Sequence, residues 1–316
     1  LKSVCDKLPT QRKMYEQKFM LAKRIFDTLS YYSGLKIEDS LNQTNEAARF
    51  KRMGLAIIPN IVGFDVAGNE EDNPTERLGE ALRHIKYYNE TKENLDEQCK
   101  VTIHGGEVKK SGYKGEPKEP GWKNIESAIN LGAHRIGHGI DLINAPDDLK
   151  EEVKKRHILM ETCPKVNFQT KAVEGYRNHP VLDFLDADIP ANINTDNPVT
   201  VGTNLTNEFV KVFKRFNWNI SAKERSEGVQ ERFSLNHIKK ITHNAIWSAF
   251  GLTAQEKVQE EAYAMNKIDE LVKQYGDKIQ LSDDKPIMMK VQDKVIAFTG
   301  SLKKAIAEKL NKDQAA

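Results

Sequence analysis

A chain of 316 residues with 39% hydrophobic side chains can bury a large core, enough for one main domain and an appendage. Its 48 basic and 46 acidic residues leave a net charge of +2, and basic pairs such as Lys109-Lys110 stand among acidic neighbours, so nothing here argues for binding nucleic acid or a membrane. Cys5, Cys99 and Cys163 lie far apart with no CxxC pair, which indicates neither a disulfide framework nor a cysteine-rich zinc site and points to a reducing cytoplasm.

No apolar run approaches the roughly 18 to 20 residues that span a bilayer, and the opening LKSVCDKLPTQRK lacks the apolar centre of a secretory signal. The chain opens on Leu rather than Met, from which we expect a further segment upstream. Residues 1–59 read as a helical lead-in or an insertion: Tyr15, Phe19, Ile25, Phe26 and Leu29 recur at helical spacing, and Gly34 supplies a stop.

From residue 60 the rhythm changes to short apolar runs, each ending in a polar, glycine-rich tip: IVGFDVAGNE, CKVTIHGGE, AHRIGHG, HILMETCP and IPANINTDNP. Helical stretches such as Glu76 to Asn89, Trp122 to Leu131 and Pro146 to Lys155 separate them. That alternation predicts a parallel α/β fold over residues 60–275, in which the strand C-terminal ends share one mouth. Residues 276–316 form a C-terminal appendage: a linker, a β-hairpin in PIMMKVQDKVIAFTG and an amphipathic helix in SLKKAIAEKLNK, suited to packing or to a homo-oligomer.

Three strand tips carry side chains with chemistry. In IHGGE, His104 ends a strand and Glu107 follows two glycines that allow close backbone approach. In RIGHG, His138 stands between two glycines, which leave its ring uncrowded. In NINTDNP, Asp196 and Asn197 sit side by side before Pro198, which stops the strand from pairing further. Each motif alone has a bland reading, respectively a buried hydrogen-bonded pair, a structural histidine and a turn; four such residues, His104, Glu107, His138 and Asp196, at the ends of three strands of one fold make a site the better reading.

In their order and spacing, GFDVAGNE, IHGGE, RIGHG, METCP, NHP and INTDNP resemble the adenosine deaminase family, over about residues 60 to 250. The resemblance implies a (β/α)8 TIM-type barrel of the metal-dependent hydrolase kind, with strands four to eight in this chain. It further implies hydrolysis of adenosine or 2′-deoxyadenosine to the 6-oxo nucleoside and ammonia by a zinc-activated water. Matched position by position, His104 is expected to be a zinc ligand and Asp196 the carboxylate ligand. His138 is expected to orient the attacking water and take its proton. Glu107 matches the acid that protonates N1 of the purine, a task that needs a neutral carboxyl near pH 7.

By the same resemblance, the backbone N–H of Gly68 contacts purine N3, and Asn197 stands where many members have a second aspartate, as a donor to N7. Asp65, His179 and the segment Glu161 to Pro164 are assigned to shaping the fold.

One family feature is absent. An H-x-H at the end of the first strand supplies two zinc ligands, yet no two of the eight histidines here are two residues apart. We therefore expect a segment outside this chain to bring those histidines. Competing expectations keep the chemistry on adenine, a modified purine nucleoside or an adenosine phosphate, or make the barrel a catalytically inactive oligomer scaffold.

Overall fold

The five apolar runs fold as five parallel strands in a computed structural model, which describes residues 62–68, 70, 75, 79–90, 98–111, 118–218, 220–276, 279–280, 285–291 and 294–296. The helical lead-in expected over residues 10–56 and the helix expected over 301–312 lie outside the described residues. The chain divides into two units, Leu1–Leu149 and Lys150–Ala316. Among the described residues no helix is long and apolar enough to cross a membrane.

In the first unit, β1 (Gly63–Val66) is followed by helix α1 (Gly79–Glu90) and β2 (Lys100–Gly105). A short antiparallel pair, β3 (Lys110–Ser111) and β4 (Glu119–Pro120), leads into α2 (Trp122–Asn130) and β5 (Arg135–His138). β2 lies between β1 and β5, parallel to both, with His104 opposite Gly137 and Gly105 opposite His138. The middle strand is buried on both faces, Val101 and Ile103 on one and Thr102 on the other.

Helix α2 supplies part of that cover. Asn124, Ile125, Ala128 and Ile129 recur at helical spacing on its buried face, and the helix packs on β2. It ends two residues before Gly132, whose φ of +94° reverses the chain as a glycine allows. The side chain of Asn89, at the end of α1, accepts from the Cys99 N–H and donates to the Cys99 carbonyl, fixing where β2 starts.

Helix α3 (Asp147–Lys155) contains the division between the units. In the second unit β6 (Leu159–Thr162) and β7 (Ala191–Ile193) pair in parallel, joined through α4 (Pro164–Gln169) and α5 (Val181–Asp186). Val181, Leu182, Phe184 and Leu185 bury one face of α5 against β7. Beyond β7 come α6 (Pro198–Val201), α7 (Leu205–Phe213), a π-turn (Lys214–Trp218), α8 (Ala222–Ser226), α9 (Leu235–Trp247) and α10 (Ala254–Tyr275).

The expected hairpin is present as β9 (Met288–Val291) against β10 (Lys294–Ile296). The stretch expected to be linker contributes a third strand, β8 (Ile279–Gln280), because KIQL alternates apolar and polar residues at strand period. One buried amide ties this region to the helices. Asn217 donates to the carbonyls of Phe233 and Ile287 and accepts from the N–H groups of Arg232 and Phe233.

Helix α8 shows how charge supports the second unit. The Ser221 N–H and hydroxyl donate to Glu224, as do the guanidinium groups of Arg177 and Arg215. The Ser221 hydrogen bonds, reinforced by the two arginines, hold the Glu224 carboxyl down from 4.5 to about 2. A depressed carboxylate stabilises the fold above its unfolded value and loses that contribution as pH falls through the folded one. Acid titration is therefore expected to destabilise the protein between about pH 4.5 and 2 more steeply than it does the Glu224→Gln variant. Parallel acid-unfolding curves followed by circular dichroism check this; superimposable curves would contradict it.

Candidate active site

His104 is the fifth residue of β2, where the strand gives way to Gly105, Gly106 and Glu107. Gly106 has φ +68°, and a Cβ there would stand 2.6 Å from Ile125 Cδ1, so only glycine carries the chain around this corner. On the neighbouring strand His138 ends β5 with φ +64°, followed by Gly139 at +66°. Two consecutive left-handed residues let the Gly139 N–H donate to the carbonyl of Gly105, stitching the strand ends together.

Strain at His138 is informative. Of five non-glycine residues with positive φ among the described residues, His157, Lys171 and Asp188 come just after the ends of α3, α4 and α5, where chain reversal accounts for them. The other two lie at strand ends, His138 as the last residue of β5 and Asp196 in the loop after β7. Both are residues that the sequence reading selected for chemistry, and stored backbone strain concentrates at functional sites.

The first unit brings three of the expected residues together. The rings of His104 and His138 meet edge to face, with centroids 4.6 Å apart and planes at 83°. Glu107 Oε2 lies 3.6 Å from His138 Nε2, with the histidine buried and the carboxylate mostly so. One ligand atom from each of His104, Glu107 and His138 falls within 4.8 Å of the others, a grouping that could hold a metal ion. Two imidazoles and a carboxylate form a donor set suited to zinc and to several other divalent ions.

The glycines of RIGHG do different work from that expected. Gly137 lies opposite His104 in the ladder, and a Cβ on it would stand 2.6 Å from His104 Cδ2. Its missing side chain makes room for the His104 ring on the adjacent strand, whereas Gly139 serves the backbone turn.

Three residues that the sequence reading did not select support this corner. Glu70, 5% exposed, accepts hydrogen bonds from the N–H of Gly106 at 2.7 Å, the N–H of Glu107 at 3.1 Å and the Asn124 amide at 3.1 Å. Burial pushes its carboxyl up to about 7, against the pull of those three donors. Asp141 grips from another side: its N–H donates to the Gly106 carbonyl, and its carboxylate accepts from the Trp122 N–H and the Asn144 amide. Burial raises the Asp141 carboxyl above its ordinary value, against those hydrogen bonds. The available signal was an acid two residues beyond Gly68 in DVAGNE, but the residues it meets are 36 or more positions away.

Gly68 is exposed beyond β1, with open space where a side chain would be, so its backbone is accessible. Asp65 is exposed within β1. His179 is buried against Asn167 and the Val181 N–H, in keeping with a shaping role.

Asp196 and Asn197 belong to the second unit. Both are exposed in the loop after β7, and Asn197 Oδ1 accepts from the Thr200 N–H, capping α6. Glu208, fully buried, accepts from the Lys165 N–H and the Thr203 hydroxyl, while Lys165 Nζ donates to the carbonyls of Val201 and Gly202. These bonds tie the loop carrying Asp196 and Asn197 to the start of α4.

A family model described as adenosine deaminase matches residues 35–258. The chain belongs to the adenosine deaminase family. Within that family, it is 33% identical to the adenosine deaminase of Enterococcus faecalis over 199 residues, covering 62% of this chain and 48% of that protein. Its match to the adenosine deaminase of Lactococcus lactis subsp. lactis is 32% over 201 residues, covering 64% and 47%. The chain thus spans about half the length of the relatives it matches. A solved adenine deaminase from Arthrobacter aurescens aligns with a TM-score of 0.51 at 20% identity, covering 72% of this chain and 58% of that one. That likeness concerns the fold, and it agrees with the (β/α)8 class that the family resemblance implied.

Proposed function

We propose that the protein built around this chain hydrolyses the 6-amino group of adenosine or 2′-deoxyadenosine, releasing ammonia and leaving inosine or 2′-deoxyinosine. The observation that carries the reading is the convergence of His104, Glu107 and His138 at the ends of two adjacent parallel strands, in a chain of this family. Each residue type suits its task.

His104 and Asp196 are the proposed ligands of a zinc ion, joined by two histidines from a segment outside this chain. When bound, the metal supplies Lewis acidity that brings the pKa of water from 15.7 to about 7. His138 is the proposed group that orients the attacking water and accepts its proton, a role that its burial and its left-handed backbone at the strand end support. Glu107 donates a proton to N1 of the purine as the ring is attacked, and its proximity to His138 supports assigning acid and base to one reacting centre. The exposed backbone of Gly68 offers an N–H to N3. Asn197 spends its Oδ1 on the α6 cap, which leaves its Nδ2 as the donor for N7. We place the protein in a reducing cytoplasm, a reading supported by the two buried thiols Cys99 and Cys163, neither of which is in a disulfide.

The test follows adenosine by ultraviolet absorbance as zinc-loaded protein is added, with 2′-deoxyadenosine, adenine and an adenosine phosphate run alongside. Conversion of the nucleosides supports the reading. Turnover of adenine or the phosphate alone moves the substrate, and no conversion of any purine overturns it. Metal content distinguishes the ligand proposal: residues 1–316 alone are expected to retain far less zinc than the same chain joined to a segment bearing an H-x-H pair.

A further inference from the structure

We propose that Glu70 is a positioning residue whose carboxylate clamps the consecutive backbone N–H groups of Gly106 and Glu107 and thereby fixes where the Glu107 side chain stands beside His138. The inference deepens the deaminase reading and rests on it for its catalytic consequence, but the clamp itself is a matter of geometry.

The tip of β2 has to hold an acid in one place although it is a loop with two glycines, the residues least able to hold themselves still. The left-handed φ of Gly106 aims successive N–H groups into one concavity, an arrangement that binds anions. Glu70 fills it from 36 residues upstream, one oxygen taking the Gly106 N–H and the other the Glu107 N–H. Its own position is fixed in turn by the Asn124 amide, on a helix whose buried face packs against β2.

The peptide planes are held from the opposite side as well. The Gly106 carbonyl accepts from the Asp141 N–H and the Gly105 carbonyl from the Gly139 N–H, so the loop is gripped through both donors and acceptors. With the backbone of Glu107 fixed by Glu70 and the backbone of His138 fixed by the Gly139 turn, the 3.6 Å separation of their side chains is set by the scaffold. A carboxylate is well matched to the concavity because both of its oxygens accept; in glutamine one becomes a donor and confronts an N–H.

The test replaces Glu70 by Gln and, separately, by Asp, which keeps the charge but is one methylene too short to reach. Amide hydrogen exchange is read at Gly106 and Glu107, and kcat and KM for adenosine are measured with and without a Glu107→Gln substitution. We expect exchange at those two amides to quicken at least tenfold in both Glu70 variants. We also expect kcat to fall about 10- to 100-fold with KM within threefold, the order of loss that misplacing a catalytic group by up to about 1 Å produces. In the Glu107→Gln background the same Glu70 substitutions should cost kcat little.

Unchanged exchange at Gly106 and Glu107 overturns the clamp. An equal kcat loss in both backgrounds, or a loss carried by KM, overturns its action through Glu107. If the unsubstituted protein deaminates no purine, the function reading fails separately, and exchange alone decides the clamp.

Discussion

Glu107→Ala is expected to lower kcat for adenosine by roughly 10²- to 10⁴-fold, the range that a single general acid contributes. The loss should appear in kcat more than in KM, because the carboxyl acts most strongly when the purine nitrogen gains its proton. Fold and metal site should survive. The Glu107 side chain is partly exposed, and the loop is held by the Glu107 backbone N–H, which alanine retains. Glu107→Gln separates binding from proton transfer, since its amide can donate a hydrogen bond but cannot give up a proton; we expect it to bind nucleoside while remaining close to the alanine variant in rate. Steady-state kinetics with both variants, each checked for zinc content and melting temperature, decide the matter. A kcat within threefold of the unsubstituted protein would remove Glu107 from the chemistry.

Much of this site could be read in the sequence because its parts are local. A parallel strand buried on both faces is a short apolar run, and what it delivers is the polar residue where the run stops, so His104, His138 and Asp196 stand out without knowledge of the fold. The relations between strands could not be read so directly. Which residue lies opposite His104 depends on register, and Gly137 was therefore credited to the ring beside it in sequence when it serves the ring across the ladder. Glu70 was missed for a similar reason: an acid in a turn looks solvated until Gly106, Glu107 and Asn124 are found around it. Asn197 could be read as a turn residue or as a ligand donor, and its cap to the Thr200 N–H is the turn role.

Gly137→Ala should be nearly as damaging as loss of the acid, although it adds a single methyl group and removes nothing. The new Cβ would lie 2.6 Å from His104 Cδ2 and 3.3 Å from Nε2, well inside contact distance, so the ring must move by about the 1 Å that separates that approach from an ordinary carbon contact. A displacement of that size in a metal ligand or catalytic group costs on the order of 10²-fold. The backbone itself can accept alanine, since Gly137 is an ordinary strand residue and not among the positive-φ positions. We therefore expect zinc affinity and kcat/KM each to fall about 10²-fold with β5 intact. Gly132→Ala is the contrasting variant: its φ of +94° makes alanine strained, but the nearest atoms to its Cβ belong to Lys86, at 3.8 Å. It should lower stability by about 1 kcal/mol and leave zinc affinity alone. Zinc titration of the two variants beside their thermal melts tells a displaced ligand from a weakened fold. Full zinc occupancy and full activity in Gly137→Ala would mean that the His104 ring is not held where the register of β2 and β5 places it.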